Sequence, residues 1–331
     1  MKRASARSDA SAAEAIRSAT GRLTLKTVYL HIGRGKTGTT AIQAYLARAR
    51  EDLARAGIHY ISTSEHGGGH QAFAKGFIAK PPAYMVLPQR TEEIRRKIAE
   101  EIAASPHSVF LLSSENFPLA DLDLLSEWWA GLQLQVRIIF FVRSQDELLE
   151  SEYNQMVKLT GETRSLMGYA DEAFEGADFW AECESWARYF GAENMICRVY
   201  DGGRKDVIDR FLSCLPLNGA PLPPFEGARE RAYANVSLGA SALEVARLLN
   251  RVDIEARREF YQPLFAAIAD GDVPAVLMSA AQAQQFRARF EESNRKFCAK
   301  YLGSDVGDIG GRRYDDAERD RLWRAASEAV S

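Results

Sequence analysis

The ten residues HIGRGKTGTT, His31 to Thr40, stand between an apolar run, KTVYLHI, and a segment with helical spacing, AIQAYLARAR. A strand that ends in glycines and a lysine and then opens a helix on threonines has the layout of an anion-binding turn. The first backbone N–H groups of a helix have no intrahelical partner, and the positive end of the helix dipole lies at the same place. Lys36 adds a full charge there. The spelling is not that of a nucleotide-hydrolase loop, because G-x-x-x-x-G-K-[ST] ending at Gly35-Lys36-Thr37 needs a glycine where Leu30 stands, inside the strand. What remains is a site for one small anion.

Outward from that loop the same alternation repeats. Lys26 to Ile32 reads as a buried strand, and the helix after the loop is expected from Thr39 to Ala56, stopped by Gly57. IHYIST follows as a second strand. Ser64 to Arg90, with HGGGH and KPPAYMVLP, is too rich in glycine and proline for regular structure. Thr91 to Ser105 is expected to be a helix with Thr91 as its N-cap. SVFLLSSE, QVRIIFFVR and NMICRVYD read as further strands; Asp121 to Leu132, Gln145 to Lys158, ADFWAECESWARYFG and KDVIDRFLSCL read as helices. Buried strands alternating with helices predict an α/β fold: a central parallel β-sheet flanked by helices, P-loop NTPase-like in three layers, with helical C-terminal additions. The expected organisation is a flexible tail over 1–24 and a single domain over 25–331, with its core at about 26–215 and a helical part at about 237–331.

Composition narrows the function classes. Among 331 residues, 42 Lys and Arg oppose 45 Asp and Glu, a net charge of -3, which excludes a nucleic-acid binder that works by bulk charge. Cys183, Cys197, Cys214 and Cys298 form no C-x-x-C pair and no Cys/His cluster, so reduced core thiols and no metal are expected. The first two dozen residues lack the continuous apolar segment of a signal or anchor, so a cytoplasmic protein without a membrane span is expected. Oligomeric state is not readable.

KTGTT after a strand resembles the 5'-phosphosulfate loop of the sulfotransferases that use 3'-phosphoadenosine 5'-phosphosulfate (PAPS), here most similar to a bacterial, carbohydrate-type member. The resemblance implies PAPS as donor, adenosine 3',5'-bisphosphate (PAP) as product, and loop contacts from Arg34, Gly35, Lys36, Thr37, Gly38, Thr39 and Thr40. It also implies a 3'-phosphate site made by an arginine at a later strand end and a serine about two turns into the next helix. IIFFVRSQDELLESEYNQ supplies Arg143 and Ser151, with Tyr153 following. Taken singly, Arg143 reads equally as a partner of Asp146 or Glu147, and Ser151 as a surface serine. VYD at Val199 to Asp201 and the helix ending RFLSCL resemble the family's next strand and helix, which makes Tyr200 a candidate beside the adenine. Ala41 stands where hormone-type members carry an aromatic residue, and their late RKG-type signature is missing. Arg231 in RERAYANVS is a candidate for closing over the 3'-phosphate, while Asn235 and Ser237 read equally as N-caps.

Sulfuryl transfer to a hydroxyl or amine needs a base for the acceptor's proton and positive charge at the leaving oxygen. Lys36 suits the second role. For the first, LLSSENF places Glu115 at a carboxyl-terminal strand end, with partial burial beside Leu112 and Phe117 expected to tune it; His70 is the rival, and His66 reads as a solvated loop residue. Ser113 and Ser114 either hold the acceptor or end the strand. A carbohydrate or glycolipid acceptor is favoured over an aromatic or other small molecule, with choice expected in the loops Ser64 to Arg90 and Thr160 to Ala177. Trp128-Trp129 and Phe179-Trp180 read as core more readily than as sugar platforms. A P-loop kinase or nucleotide hydrolase and a non-catalytic nucleotide- or glycan-binding module are the competing readings.

Overall fold

The computed structural model describes residues 26–82, 85–173, 177–200, 204–217, 219–220, 222–223, 238–251, 277–303, 309–310, 315–317 and 319–321. Five strands, β1 (Thr27–His31), β2 (Ile58–Tyr60), β3 (Val109–Ser113), β4 (Gln135–Val142) and β5 (Met195–Val199), form one parallel sheet in the order β2-β3-β1-β4-β5. Side chains alternate between faces along a strand. Tyr29, Leu111, Ile139 and Phe141 on one face and Val28, Leu30, Phe110, Leu112, Ile138 and Phe140 on the other are all buried. A sheet buried on both sides is the expected outcome of parallel strands joined by helices, and it explains why these segments are almost continuously apolar.

The chain divides into two compact units. The first comprises Met1–Val142, Trp180–Gly227 and Phe297–Val306 and holds the sheet. Its helices are α1 (Thr39–Arg48), α2 (Arg50–Arg55), the short α3 (Gln71–Lys75), α4 (Thr91–Ala104), α5 (Leu122–Gly131), all but the first residue of α8 (Phe179–Phe190), and α9 (Arg204–Leu212). One stripe of α1, Ile42, Tyr45 and Leu46, with Ala49 just after its end, packs with Val207, Ile208 and Phe211 of α9 on the face that bears Tyr29 and Ile139. That spacing of three and four residues is the amphipathic pattern that made α1 legible.

The second unit comprises Arg143–Phe179, Ala228–Lys296 and Gly307–Ser331 and contains α6 (Gln145–Thr160), α7 (Leu166–Ala173), α10 (Ala240–Leu249), α11 (Ala280–Ala288) and most of α12 (Glu291–Phe297). Buried polar side chains fasten it. Gln145 and Asn294 exchange amide hydrogen bonds at 2.6 and 3.1 Å, and Asn154 both donates to the Leu238 carbonyl and accepts from its N–H. Asn250 donates to the carbonyls of Val157 and Glu162, and Glu150 accepts from the N–H groups of Leu277 and Met278.

Several elements depart from the sequence reading. The helix expected from Thr39 to Ala56 breaks at buried Ala49, because Arg50 turns back to the Tyr60 carbonyl and packs its guanidinium over the Tyr60 ring. Thr91 is the first helical residue of α4, with Arg90 in the cap position. The irregular stretch after Ser64 contains α3, held by Phe73 against Trp128 and Phe77, so apolar contacts override its glycine content. Trp128, Trp129 and Phe179 are core residues and not sugar platforms. The expected tail over 1–24 and Asp201, Arg231, Asn235 and Ser237 lie outside the described residues.

Candidate functional site

β1 is the central strand of the sheet, with β3 on one side and β4 on the other. The connection leaving β1 runs to β2 on one side and that leaving β4 runs to β5 on the other, so the topological switch point where open α/β sheets bind ligands lies between the carboxyl ends of β1 and β4. His31 pairs with Ser113, the last residue of β3, and with Ile139 of β4. β4 runs three residues further, to Val142, and so projects roughly 10 Å past the end of β1 at about 3.3 Å per residue. The loop that carries Lys36 leaves β1 in this step.

The loop is closed by its own hydroxyls. Thr37 Oγ1 donates to the Arg34 carbonyl at 2.7 Å and Thr39 Oγ1 donates to the same oxygen at 3.2 Å. Thr37 and Thr39 are buried, whereas Thr40 is exposed in the first turn of α1. The threonine protons expected around an anion are therefore spent, at Thr37 and Thr39, on shaping the turn. Gly33 and Gly38 are required sterically. A Cβ on Gly33 would come within 2.6 Å of Thr39 Oγ1, and one on Gly38, at φ 80°, would meet Tyr200 Cε2 and Val207 Cγ2 at 3.1 Å. Lys36 also has a positive φ of 69°, a conformation uncommon for a residue with a side chain and associated with functional turns. Gly38 caps α1 with no side-chain hydrogen bond, and the first turn of α1 carries no acidic residue. Helix-end N–H groups and dipole thus face the loop without a built-in anion. Arg34 is partly buried and ion-paired with Glu182 of α8. Glu182 also lines a cavity of about 430 Å³, together with Ser185 and Tyr189 of α8 and with Pro118, Ala120, Asp121 and Leu122.

The end of β3 is built differently, from side chains. Ser113 Oγ lies 2.8 Å from His31 Nδ1 and accepts from Gln43 Nε2 at 3.2 Å. Glu115, two residues beyond β3, is exposed, so the partial burial expected for it is not found; the chain turns outward after Ser114, whose N–H donates to the His31 carbonyl. Glu115 Oε2 accepts from Gln43 Nε2 at 3.2 Å and from Gln71 Nε2 at 2.9 Å. Ser114 Oγ donates to Gln71 Oε1, and Asn116 Nδ2 donates to the same oxygen at 3.2 Å. Both serines are thereby structural members of the strand end.

His70, the rival base, is fully buried. The Ser113 N–H donates to its Nδ1 at 3.1 Å, which leaves the proton on Nε2, and Nε2 donates to the Ile61 carbonyl at 2.9 Å. Burial lowers its pKa. With both ring nitrogens bonded to backbone, His70 ties β3 to the Gly-rich loop and has no nitrogen for an acceptor's proton. His66, by contrast, is exposed. His31, beneath the loop, is buried against Phe141 and Phe211, and desolvation lowers its pKa to about 3, so it is neutral at any working pH.

Gln43 and Gln71 were not found by motif reading. A signal existed for Gln43 alone, a polar residue within the stripe Thr39, Ile42, Gln43 and Leu46, where an apolar side chain is the ordinary occupant. In the second unit, Arg143 directly follows β4 in sequence, and its Nε lies 3.5 Å from Glu147 Oε2. Ser151 is half-buried on α6, and the Tyr153 hydroxyl donates to the Arg164 carbonyl. Among the described residues there is no group of three His, Cys, Asp or Glu able to hold a metal ion, and no helix long and apolar enough to cross a membrane.

No protein-family model matches the chain. An uncharacterized protein of Archaeoglobus fulgidus is 26% identical over 204 residues, which is 59% of this chain and 54% of that protein; the chain thus spans about half the length of this curated relative. Among solved structures, a sulfotransferase from Alicyclobacillus acidocaldarius is similar over 70% of this chain and 98% of its own, at 15% identity and a TM-score of 0.43. The mouse sulfotransferase SULT7A1 complexed with PAP is similar over 89% of this chain and 91% of its own, at 14% identity and a TM-score of 0.38. A retinol dehydratase in complex with androsterone and inactive cofactor PAP is similar over 98% of this chain and 86% of its own, at 14% identity and a TM-score of 0.30.

Proposed function

We propose that the chain is a sulfotransferase that moves a sulfuryl group from PAPS to a hydroxyl of an acceptor, a carbohydrate or glycolipid in preference to a phenol. The observation that carries this reading is the turn after β1. A lysine in a left-handed conformation and an uncapped helix start, with no acid in its first turn, stand at the switch point of a parallel sheet. Gly33 and Gly38 pack against Thr39, Tyr200 and Val207 with no room for a Cβ, which fixes the backbone of the turn on which an anion would sit.

In this reading PAPS supplies the sulfuryl group and departs as PAP. Backbone N–H groups of Gly38 to Ala41 and the Thr40 hydroxyl hold the 5' end, and Lys36 neutralises the charge that develops on the bridging oxygen. Arg143 and Ser151 bind the 3'-phosphate, by resemblance to the family's second site, and Tyr200, which packs on Gly38, lies toward the adenine. Glu115 takes the acceptor proton. Arg34 serves the loop through its carbonyl and its ion pair with Glu182.

Thermal denaturation with PAP, and separately with ATP and Mg2+, tests the donor. Stabilisation by PAP alone supports the reading, because a specific ligand raises apparent stability by mass action. The reverse pattern replaces it with a nucleotide hydrolase, and PAP binding without transfer from labelled PAPS to any of a panel of oligosaccharides and phenols leaves a binding module.

A further inference from the structure

Counting hydrogen-bond capacity around Glu115 assigns a role to two glutamines that no motif marks. A side-chain amide has two N–H donors and two acceptor lone pairs. Gln71 uses all four. Its Nε2 donates to Glu115 Oε2 at 2.9 Å and to Gln43 Oε1 at 3.4 Å, while its Oε1 accepts from Ser114 Oγ and from Asn116 Nδ2. Gln43 commits both of its donors, to Ser113 Oγ and to Glu115 Oε2, each at 3.2 Å. Gln71 therefore has nothing left with which to contact a ligand, and its whole capacity goes to holding neighbours.

The consequence falls on the carboxylate. Both amides hold Oε2, and among the described residues no donor reaches Oε1. An exposed glutamate would otherwise sample several rotamers, with an entropy loss each time it is brought to bear. Gln43 is the fifth residue of α1, the helix that begins at the Lys36 loop, so the same rigid element carries the anion-binding turn and one arm of the clamp. We infer that Gln71 and Gln43 are positioning residues: they clamp Glu115 by Oε2 so that Oε1 is the oxygen that receives the acceptor's proton. This rests on the sulfotransferase reading, and on Glu115 as its base.

The test uses Gln71→Met, which keeps the length of a half-exposed side chain and removes the amide, with Glu115→Gln beside it. PAP release from PAPS is measured with water alone, with 4-nitrobenzyl alcohol and with 4-nitrophenol. The alcohol and water must lose a proton during transfer; the phenol is largely ionised at mildly alkaline pH and needs no base. Loss of one charge-assisted hydrogen bond to a base should slow the alcohol and water reactions about tenfold in Gln71→Met. Turnover with 4-nitrophenol and stabilisation by PAP should stay within about twofold of the unmodified protein. Equal slowing with both acceptors would show that Gln71 merely holds the fold, and no slowing would remove the clamp from the mechanism; either overturns the inference while the sulfotransferase reading stands. If the unmodified protein releases no PAP in any of the three mixtures or with any member of the oligosaccharide panel, that reading falls and the clamp with it. Gln43→Met, with the same split expected between acceptors, guards against a local collapse of α3 in the first variant.

Discussion

The two strand ends that meet at His31 and Ser113 solve the same problem with different materials. After β1 the site is made of main chain: two glycines where a Cβ has no room, a helix start without a cap, and threonines that bond back to the Arg34 carbonyl. After β3 it is made of side chains, with one carboxylate oxygen held by amides from α1 and α3. A main-chain site dictates its own sequence, since only particular residues permit the geometry. A side-chain site borrows its parts from distant positions, and its local sequence says little. In the proposed reading the difference also separates the chemistry, with the first end handling charge on the donor and the second a proton from the acceptor.

The sharpest way to break the comparison is to remove the charge from the first end alone. Lys36→Ala should lower kcat about 10²- to 10³-fold, the range seen when one stabiliser of developing charge is deleted, with a smaller effect on KM for PAPS. Steady-state kinetics with labelled PAPS reads this directly. Unchanged turnover would remove Lys36 from the reaction and leave the turn a simple anion site.

That asymmetry explains what was legible. The strands were visible because both faces of the sheet are buried, Gly38 and Thr39 because a turn of this shape needs them, and Lys36 because its charge stands beside a helix start. Glu115 could be picked out at its strand end, but its exposure could not, because the outward turn after Ser114 is set by a bond to the His31 carbonyl, 83 residues away in sequence. His70 looked like a base by residue type. Its neighbours Ile61 and Ser113, which occupy both ring nitrogens, are contacts of the folded chain and leave no mark in HGGGH. Gln71 lies next to it and was equally invisible.

Arg143 extends the comparison to the second unit. Arg143→Ala should weaken binding of PAPS by roughly 10- to 100-fold, the equivalent of one charge-assisted contact of about 1.5–3 kcal/mol, while binding of adenosine 5'-phosphosulfate, which lacks the 3'-phosphate, barely changes. Titration calorimetry with both ligands decides it. Equal losses would return Arg143 to its alternative role, pairing with Glu147.

Acid should destabilise the fold through the buried imidazoles of His31, at the end of β1, and His70, bonded to Ser113 of β3. The folded form of His31 has a pKa lowered to about 3 from an ordinary 6.5, and that of His70 is lowered as well. Between the folded and the ordinary value the unfolded chain binds more protons, so stability is intact above pH 6.5 and falls as pH drops below it. At pH 5, one and a half units into that window, His31 alone should contribute a loss of about 2 kcal/mol, with His70 adding in the same direction. The carboxylates of Glu101 and Glu162, whose folded pKa values are lowered by hydrogen bonds, respond only below about 4.5 and do not confuse this range. Urea unfolding at pH 7.5 and 5.0 measures the difference, and a flat result would mean that the imidazoles are not buried neutral.

The mildest change addresses the main-chain end. Gly38→Ala adds one methyl at φ 80°, where a residue with a Cβ is disfavoured by about 1–2 kcal/mol, and sets it 3.1 Å from Tyr200 and Val207. The flexible Val207 and Tyr200 side chains can yield a few tenths of an ångström, so the fold should survive with a Tm lower by a few degrees. The loop cannot yield as easily, because Gly38 fixes the first N–H groups of α1, and stabilisation by PAP should shrink by more than the intrinsic Tm does. If the β1 end were a side-chain site like the β3 end, the small backbone shift would leave PAP stabilisation intact. That outcome would cancel the distinction between the two strand ends.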